Sequence, residues 1–138
     1  MIAEVAKLLQ KNKITLPFGL YITNSVQEEV GLRGAEMITQ TIKPHVAIVT
    51  DVTHDTTTPM IDQKVEGDVS IGKGPVITYA PAVQNELREL VITAAEKNNI
   101  PFQRAASSRV TGTDTDAFSY SNEGVPSALI SLPLKYIW

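Results

Sequence analysis

Carboxylates recur in this chain at places suited to chemistry. Glu28 and Glu29 are adjacent within Asn24-Ser25-Val26-Gln27-Glu28-Glu29-Val30-Gly31-Leu32-Arg33-Gly34-Ala35. Asp51 is followed closely by His54 and Asp55. Asp114 and Asp116 share the run Thr113-Asp114-Thr115-Asp116. A pair of acids can divide the work of hydrolysis, one holding a cation while its neighbour takes a proton from water. A lone acidic pair on a loop is ordinarily just solvated surface. Recurrence of such groups at several equivalent places in one chain is what points to a site.

The pattern between these groups says how they would meet. Ile2 to Gln10 places Ile2, Val5, Ala6, Leu8 and Leu9 at helical spacing. Leu16 to Ile22 reads as a first strand, and the Glu pair follows it. A helix is expected over Leu32 to Ile42, with Ala35, Ile38 and Ile42 inward and Pro44 ending it. His45 to Thr50 is a near-continuous apolar run, as in a strand buried on both faces, with Asp51 at its C-terminal end. Thr56 to Asp68 reads as a loop. Gly72-Lys73-Gly74-Pro75 is a turn between short strands at Val69–Ile71 and Val76–Tyr79. It lacks the glycine-lysine spacing of a phosphate loop.

Ala82 to Asn98 is the strongest helical pattern, carried by Val83, Leu87, Leu90, Val91 and Ala94. A strand over Pro101–Ala106, a short helix within Ser107–Tyr120 and a last strand over Pro126–Leu132 complete the order. Strands alternating with helices predict an α/β fold, with a mixed, mostly parallel sheet covered by helices on both faces. In such a sheet the acids follow several strands and collect along one edge. Like charges gathered there repel unless a cation lies between them.

Composition narrows the chemistry. The chain has 138 residues, a net charge of −3, 43% hydrophobic and 20% charged residues. That is one soluble globular domain with a real core. The acidic balance and the lack of a basic run argue against nucleic-acid binding. No apolar run approaches the roughly 20 residues that cross a bilayer, and no signal peptide is visible, so a cytoplasmic location is expected. There is no cysteine, which excludes disulfides, thiolate ligands and a Cys nucleophile. A bound cation would take oxygen and imidazole donors, as zinc, cobalt or manganese do. The two histidines are His45 and His54. His45 reads as a packed or surface residue. His54 reads as a ligand, as a residue that orients Asp51 or as a plain loop histidine, the last two being favoured.

Several blocks together resemble the dinuclear-metal aminopeptidases of the glutamyl/leucyl type, which often form tetrahedral particles and are sometimes labelled cellulase or endoglucanase. These blocks are Val26 to Ala35, Val49 to His54, Gly72 to Pro75, Thr113 to Ala117, Gly124 to Pro126 and Pro133 to Tyr136. The resemblance runs through the whole chain in order. It implies a zinc-peptidase-like three-layer sandwich, of which residues 1–138 form the C-terminal part of the catalytic domain. An N-terminal metal-ligand segment and a dimerisation domain would lie outside it.

The resemblance also implies roles. Glu28 matches the general base, Glu29 a terminal ligand of one metal, and Asp51 a terminal ligand of the other. Asp114 and Asp116 match a segment that lines the site, with no catalytic step assigned to it. The cofactors implied are two divalent ions, zinc or cobalt; the substrates are peptides, cleaved at the N-terminal residue. The family's upstream His and bridging Asp have no counterpart here, and Trp138 stands where the family has another His. Indole cannot ligate a metal. This chain alone is therefore expected to hold metal weakly, to be inactive and to self-associate. A non-catalytic interaction or structural module that keeps the fold without metals is the competing expectation. A carbohydrate hydrolase using paired carboxylates is a third.

Overall fold

A computed structural model describes residues 2–137. Trp138 lies outside the described residues. The elements are α1 (Ile2–Lys11), α2 (Arg33–Ile42), β1 (Ala47–His54), α3 (Gln63–Glu66), β2 (Val76–Tyr79), α4 (Asn85–Lys97), β3 (Gln103–Ala106), α5 (Asp114–Tyr120) and β4 (Ser127–Leu134).

The sheet order is β1-β4-β2-β3. β1 pairs with β4 in parallel, β2 with β3 in parallel, and β2 with β4 antiparallel. The sheet is thus mixed and mostly parallel, as expected. Register assigns the faces, because paired residues point the same way and neighbours along a strand point opposite ways. Val49 pairs with Leu129 and Val76 with Ser131. One face therefore carries Val49, Asp51, Leu129, Ser131, Val76 and Thr78. The other carries Ile48, Val52, Ile130, Ile77 and Tyr79.

The first face holds the core. Val49 and Leu129 cluster with Ala35 of α2, Phe118 of α5, Val83 and Val125. The second face is covered by α4. Its Arg88 guanidinium lies 3.8 Å from the centre of the Tyr79 ring and donates to Asn85 Oδ1 at 2.7 Å and Glu89 Oε1 at 2.9 Å. A cation stacked and hydrogen-bonded this way can be buried without being left unpaired. Helices thus lie on both faces, giving three layers.

Some expectations change. Leu16–Ile22 forms no strand. A strand exists only by pairing, and the segment has no ladder partner among the described residues. Phe18 and Tyr21 are 63% and 69% exposed. Val69–Ile71 is not a strand either; its backbone bonds instead to Thr56 and Asp55. β1 starts later and runs further than expected, so Asp51 lies inside it rather than at its end. β1 is also an edge strand: Val49 is buried, but Ile48 is 56% exposed. In α4 the buried stripe is Arg88 and Ile92, while Leu90 is exposed. The expected loop Thr56–Asp68 contains the single turn α3.

Candidate active site

The Glu pair stands on a tight turn leading into α2. Leu32 N–H donates to Glu28 O at 2.9 Å, and Gly34 N–H donates to Val26 O at 2.9 Å. The turn needs left-handed backbone at Gln27 (φ 57°), Gly31 (φ 116°) and Leu32 (φ 56°). Such geometry is easy for glycine and costs a side-chain-bearing residue about 1–2 kcal/mol. Strained residues on both sides of two acids are the pattern expected where geometry serves chemistry. Gly34 explains how the turn sits so close. A Cβ at Gly34 would overlap the Val26 backbone.

The turn is tied to α5. Ser25 Oγ donates to Asp114 Oδ2. Asp114 begins α5, whose N-cap Thr113 accepts from Thr115 N–H. The hydroxyls of Thr111, Thr113 and Thr115 form a chain, at 2.9 Å and 3.0 Å. Asp116 Oδ2 accepts from Thr111 N–H and from Gly112 N–H, both at 2.9 Å. That carboxylate holds its own loop, so Asp116 is a structural residue rather than part of the acid cluster. Asp55 acts likewise. It accepts from Thr57 N–H at 2.8 Å, Thr57 Oγ1 at 2.6 Å and Ile71 N–H at 3.1 Å. The Thr57 hydroxyl, then the Ile71 and Thr57 amides, hold its proton affinity below the ordinary carboxylate value.

Glu28, Asp51 and Asp114 come together. Partial burial first, then the charges of Asp51, Glu29 and Asp114, push the Glu28 pKa up. Burial also raises Asp114, the Ser25 hydrogen bond opposes this, and the Asp51 charge adds to the rise. Asp114 Oδ1 is buried with no hydrogen-bond partner among the described residues. Asp51, partly buried in β1, accepts from Val52 N–H at 2.7 Å. Glu29 is exposed beside Glu28.

The remaining expected residues separate from this cluster. His54 ends β1, exposed, three residues past Asp51. Strand alternation sends the two side chains to opposite faces, so His54 does not orient Asp51. It borders a neighbouring cavity at the end of the strand instead. His45 is an exposed residue ahead of β1, as expected. Ser25 was not legible as a site residue. Its only sequence signal is its place three residues before Glu28.

A metal is the natural partner for such a cluster, but the donors here do not complete a centre. Among the described residues no three Asp, Glu, His or Cys side chains converge to hold an ion, and tight zinc sites need about three or four. What the arrangement can do unaided is hold a carboxylate of raised proton affinity beside an acidic, partly buried wall.

Comparison with known proteins identifies the family. The lysyl aminopeptidase of Pyrococcus furiosus is 40% identical over 118 residues, covering 86% of this chain and 33% of that protein. The crystal structure of a TET aminopeptidase from a marine sediment Thaumarchaeota archaeon superposes with a TM-score of 0.85 at 32% identity. That match covers 96% of this chain and 37% of the other. A solved dodecamer, PhTET1-12s, matches with a TM-score of 0.59 at 30% identity, over 82% of this chain and 32% of that one. The chain thus spans roughly a third of the length of the relatives it matches. The profile described as M42 glutamyl aminopeptidase matches residues 1–138 from end to end, and the chain belongs to that family.

Proposed function

We propose that residues 1–138 are the C-terminal part of a catalytic domain that releases N-terminal residues from peptides, with Glu28 as its general base. The observation that carries this reading is the convergence of Glu28, Asp51 and Asp114, where partial burial first and then the charges of Asp51, Glu29 and Asp114 raise the proton affinity of Glu28. A base works best when its pKa approaches the working pH. Glu28 takes a proton from water, the oxygen attacks the first peptide carbonyl, and the proton passes to the departing amine. The family membership and the relatives' names support the reaction class.

Glu29 and Asp51 are the terminal metal ligands in this reading, for two divalent ions such as zinc or cobalt. Alone they leave an incomplete shell, so this chain by itself binds metal weakly and hydrolyses peptides too slowly to be useful. The test is a chimera: the preceding segment of the Pyrococcus furiosus relative fused ahead of this chain, carrying W138H. It should release N-terminal residues in a metal-dependent way, and Glu28→Gln should lower kcat by about 10²- to 10⁴-fold. A folded chimera that binds metal tightly yet hydrolyses no aminoacyl substrate sinks the reading.

A second reading, a module that keeps the fold without metals, draws on the lack of a converged ligand set among the described residues. Zinc titration of the chimera beside its Glu29→Ala variant separates the two readings of the acids. Tight binding lost in the variant assigns Glu29 as a ligand. Weak binding, unchanged in the variant, joined to an inactive chimera leaves the non-catalytic module. Self-association belongs to either reading. Phe18, Tyr21 and Ile48 present exposed apolar surface that a second copy would cover. No helix among the described residues is long and apolar enough to cross a membrane, and the proposed location is cytoplasmic.

A further inference from the structure

The turn that carries Glu28 is anchored differently at its two ends. Its C-terminal end runs into α2, where the fully buried Ala35 clusters with Val49 and Phe118. Its N-terminal end follows residues 14–24, which form no helix or strand and are mostly exposed. The backbone bonds of the turn stay local. Gly31 and Leu32 N–H donate to Glu28 O, Arg33 N–H to Gln27 O and Gly34 N–H to Val26 O. The Arg33 guanidinium reaches only as far as Gln27 Oε1, at 3.4 Å. Among the described residues, the bond from Ser25 Oγ to Asp114 Oδ2 is the one hydrogen bond that ties the turn to an element beyond α2.

The receiving end of that bond is fixed. Asp114 opens α5, and Thr113 caps the helix by accepting from Thr115 N–H. Asp116 holds the amides of Thr111 and Gly112 in the preceding loop. Just past the far end of α5, Asn122 Nδ2 donates to Thr39 O of α2 at 3.0 Å. α5 is therefore bonded to the turn and α2 at both of its ends, with Phe118 and Ala35 in the core between. It is a rigid reference against which the turn can be set.

The residue type carries the rest. A hydroxyl donating to a carboxylate makes a charge-assisted bond, about twice as strong as a neutral one. That carboxylate stands within reach of the charges of Asp51 and Glu28, which oppose its own. An amide would accept the same bond without the repulsion. Asp114 Oδ1 is buried with no partner among the described residues, so the second oxygen serves no other group of the fold. A charge kept at such a cost, for one hydroxyl three residues before Glu28, is explained by what the stronger bond holds in place.

We propose that Asp114 is a positioning residue for Glu28, acting through the Ser25 hydroxyl to set where the turn holds the Glu28 carboxylate relative to Asp51. Misplacing a reacting group by about 1 Å can slow a reaction by about 10²-fold, so one bond at this point has leverage on the rate. The role rests on the proposed peptidase reading.

The first arm of the test is hydrogen exchange on the full chain. Ser25→Ala should speed exchange of the Leu32 and Gly34 amides about tenfold and leave α4 unchanged. Ser25→Thr keeps the hydroxyl and should keep the protection. The second arm is kinetics in the chimera. Ser25→Ala and Asp114→Ala should each lower kcat at least about tenfold with KM within about twofold, and Ser25→Thr should restore kcat. Since the pair acts as a unit, the double variant should lose no more than either single one. Multiplying losses, a loss that falls on KM, no rescue by threonine, or exchange that rises equally in α4 overturns the proposal. A parent chimera that hydrolyses nothing defeats the peptidase reading, and the exchange arm alone then decides whether Asp114 holds the turn.

Discussion

Ser25 Oγ donates to Asp114 Oδ2 across 89 residues of sequence, joining the turn that carries Glu28 to the start of α5. That bond stabilises the charged form of Asp114 against the burial that raises its pKa. Ser25→Ala should therefore raise the Asp114 pKa further and cost about 1 kcal/mol of stability. Carboxyl NMR titration checks the first expectation and urea unfolding the second. An Asp114 pKa that falls or stays put would show that the bond does not hold the turn.

Glu28 carries a stability cost at neutral pH. Its folded pKa is raised, so the folded state holds the proton more firmly than the unfolded state. Stability then falls as pH rises from the unfolded value through the folded one. Glu28→Gln should be more stable than the parent at pH 7, by less than about 1 kcal/mol given the exposure of the group. At pH 4 the difference should vanish. Thermal melts at the two pH values decide it, and a gain that is equal at both would refute the charge explanation.

Asp55 predicts the opposite slope. Its pKa is lowered, led by the Thr57 hydroxyl bond. Its contribution is present above the unfolded carboxylate value and is lost as pH falls through the depressed folded value. Asp55→Ala should lower the melting temperature at pH 7, because the Ile71 and Thr57 amides lose their acceptor. It should also be less sensitive than the parent to acid in the range below about pH 4. Melting curves from pH 2 to 7 test both points together.

Gly34 should tolerate no side chain. A Cβ there would overlap the Val26 backbone, and the bond from Gly34 N–H to Val26 O fixes that approach. Gly34→Ala should cost about 1–3 kcal/mol and shift the amide signals of residues 25–32 more than those of α4. A variant with unchanged stability and spectra would mean the turn does not pack against α2.

Phe118 ties α5 to β1 and β4 through Val49 and Leu129. At 9% exposure, Phe118→Ala should cost about 3–5 kcal/mol. Total stability for such a domain is about 5–15 kcal/mol, so chemical unfolding should shift strongly. The Ser25 to Asp114 bond should loosen with it, since α5 supplies one partner.

The sequence alone determined most of the helices and the identity of the acids. Periodicity placed α2 and α4 along the chain, although the stripe that α4 buries is Arg88 and Ile92 rather than the expected apolar one. Glu28, Asp51 and Asp114 were legible as chemistry because few other residue types can serve it in a chain with no cysteine. Tertiary structure decided the rest. Leu16–Ile22 has the composition of a strand, yet pairing depends on a neighbour that local sequence cannot specify. Asp114 and Asp116 stand two residues apart, but one faces Glu28 and the other satisfies the amides of Thr111 and Gly112. Which way each turns is set by the N-terminus of α5. Ser25 carries no signal in sequence. Its meaning comes from α5, which the fold brings beside it.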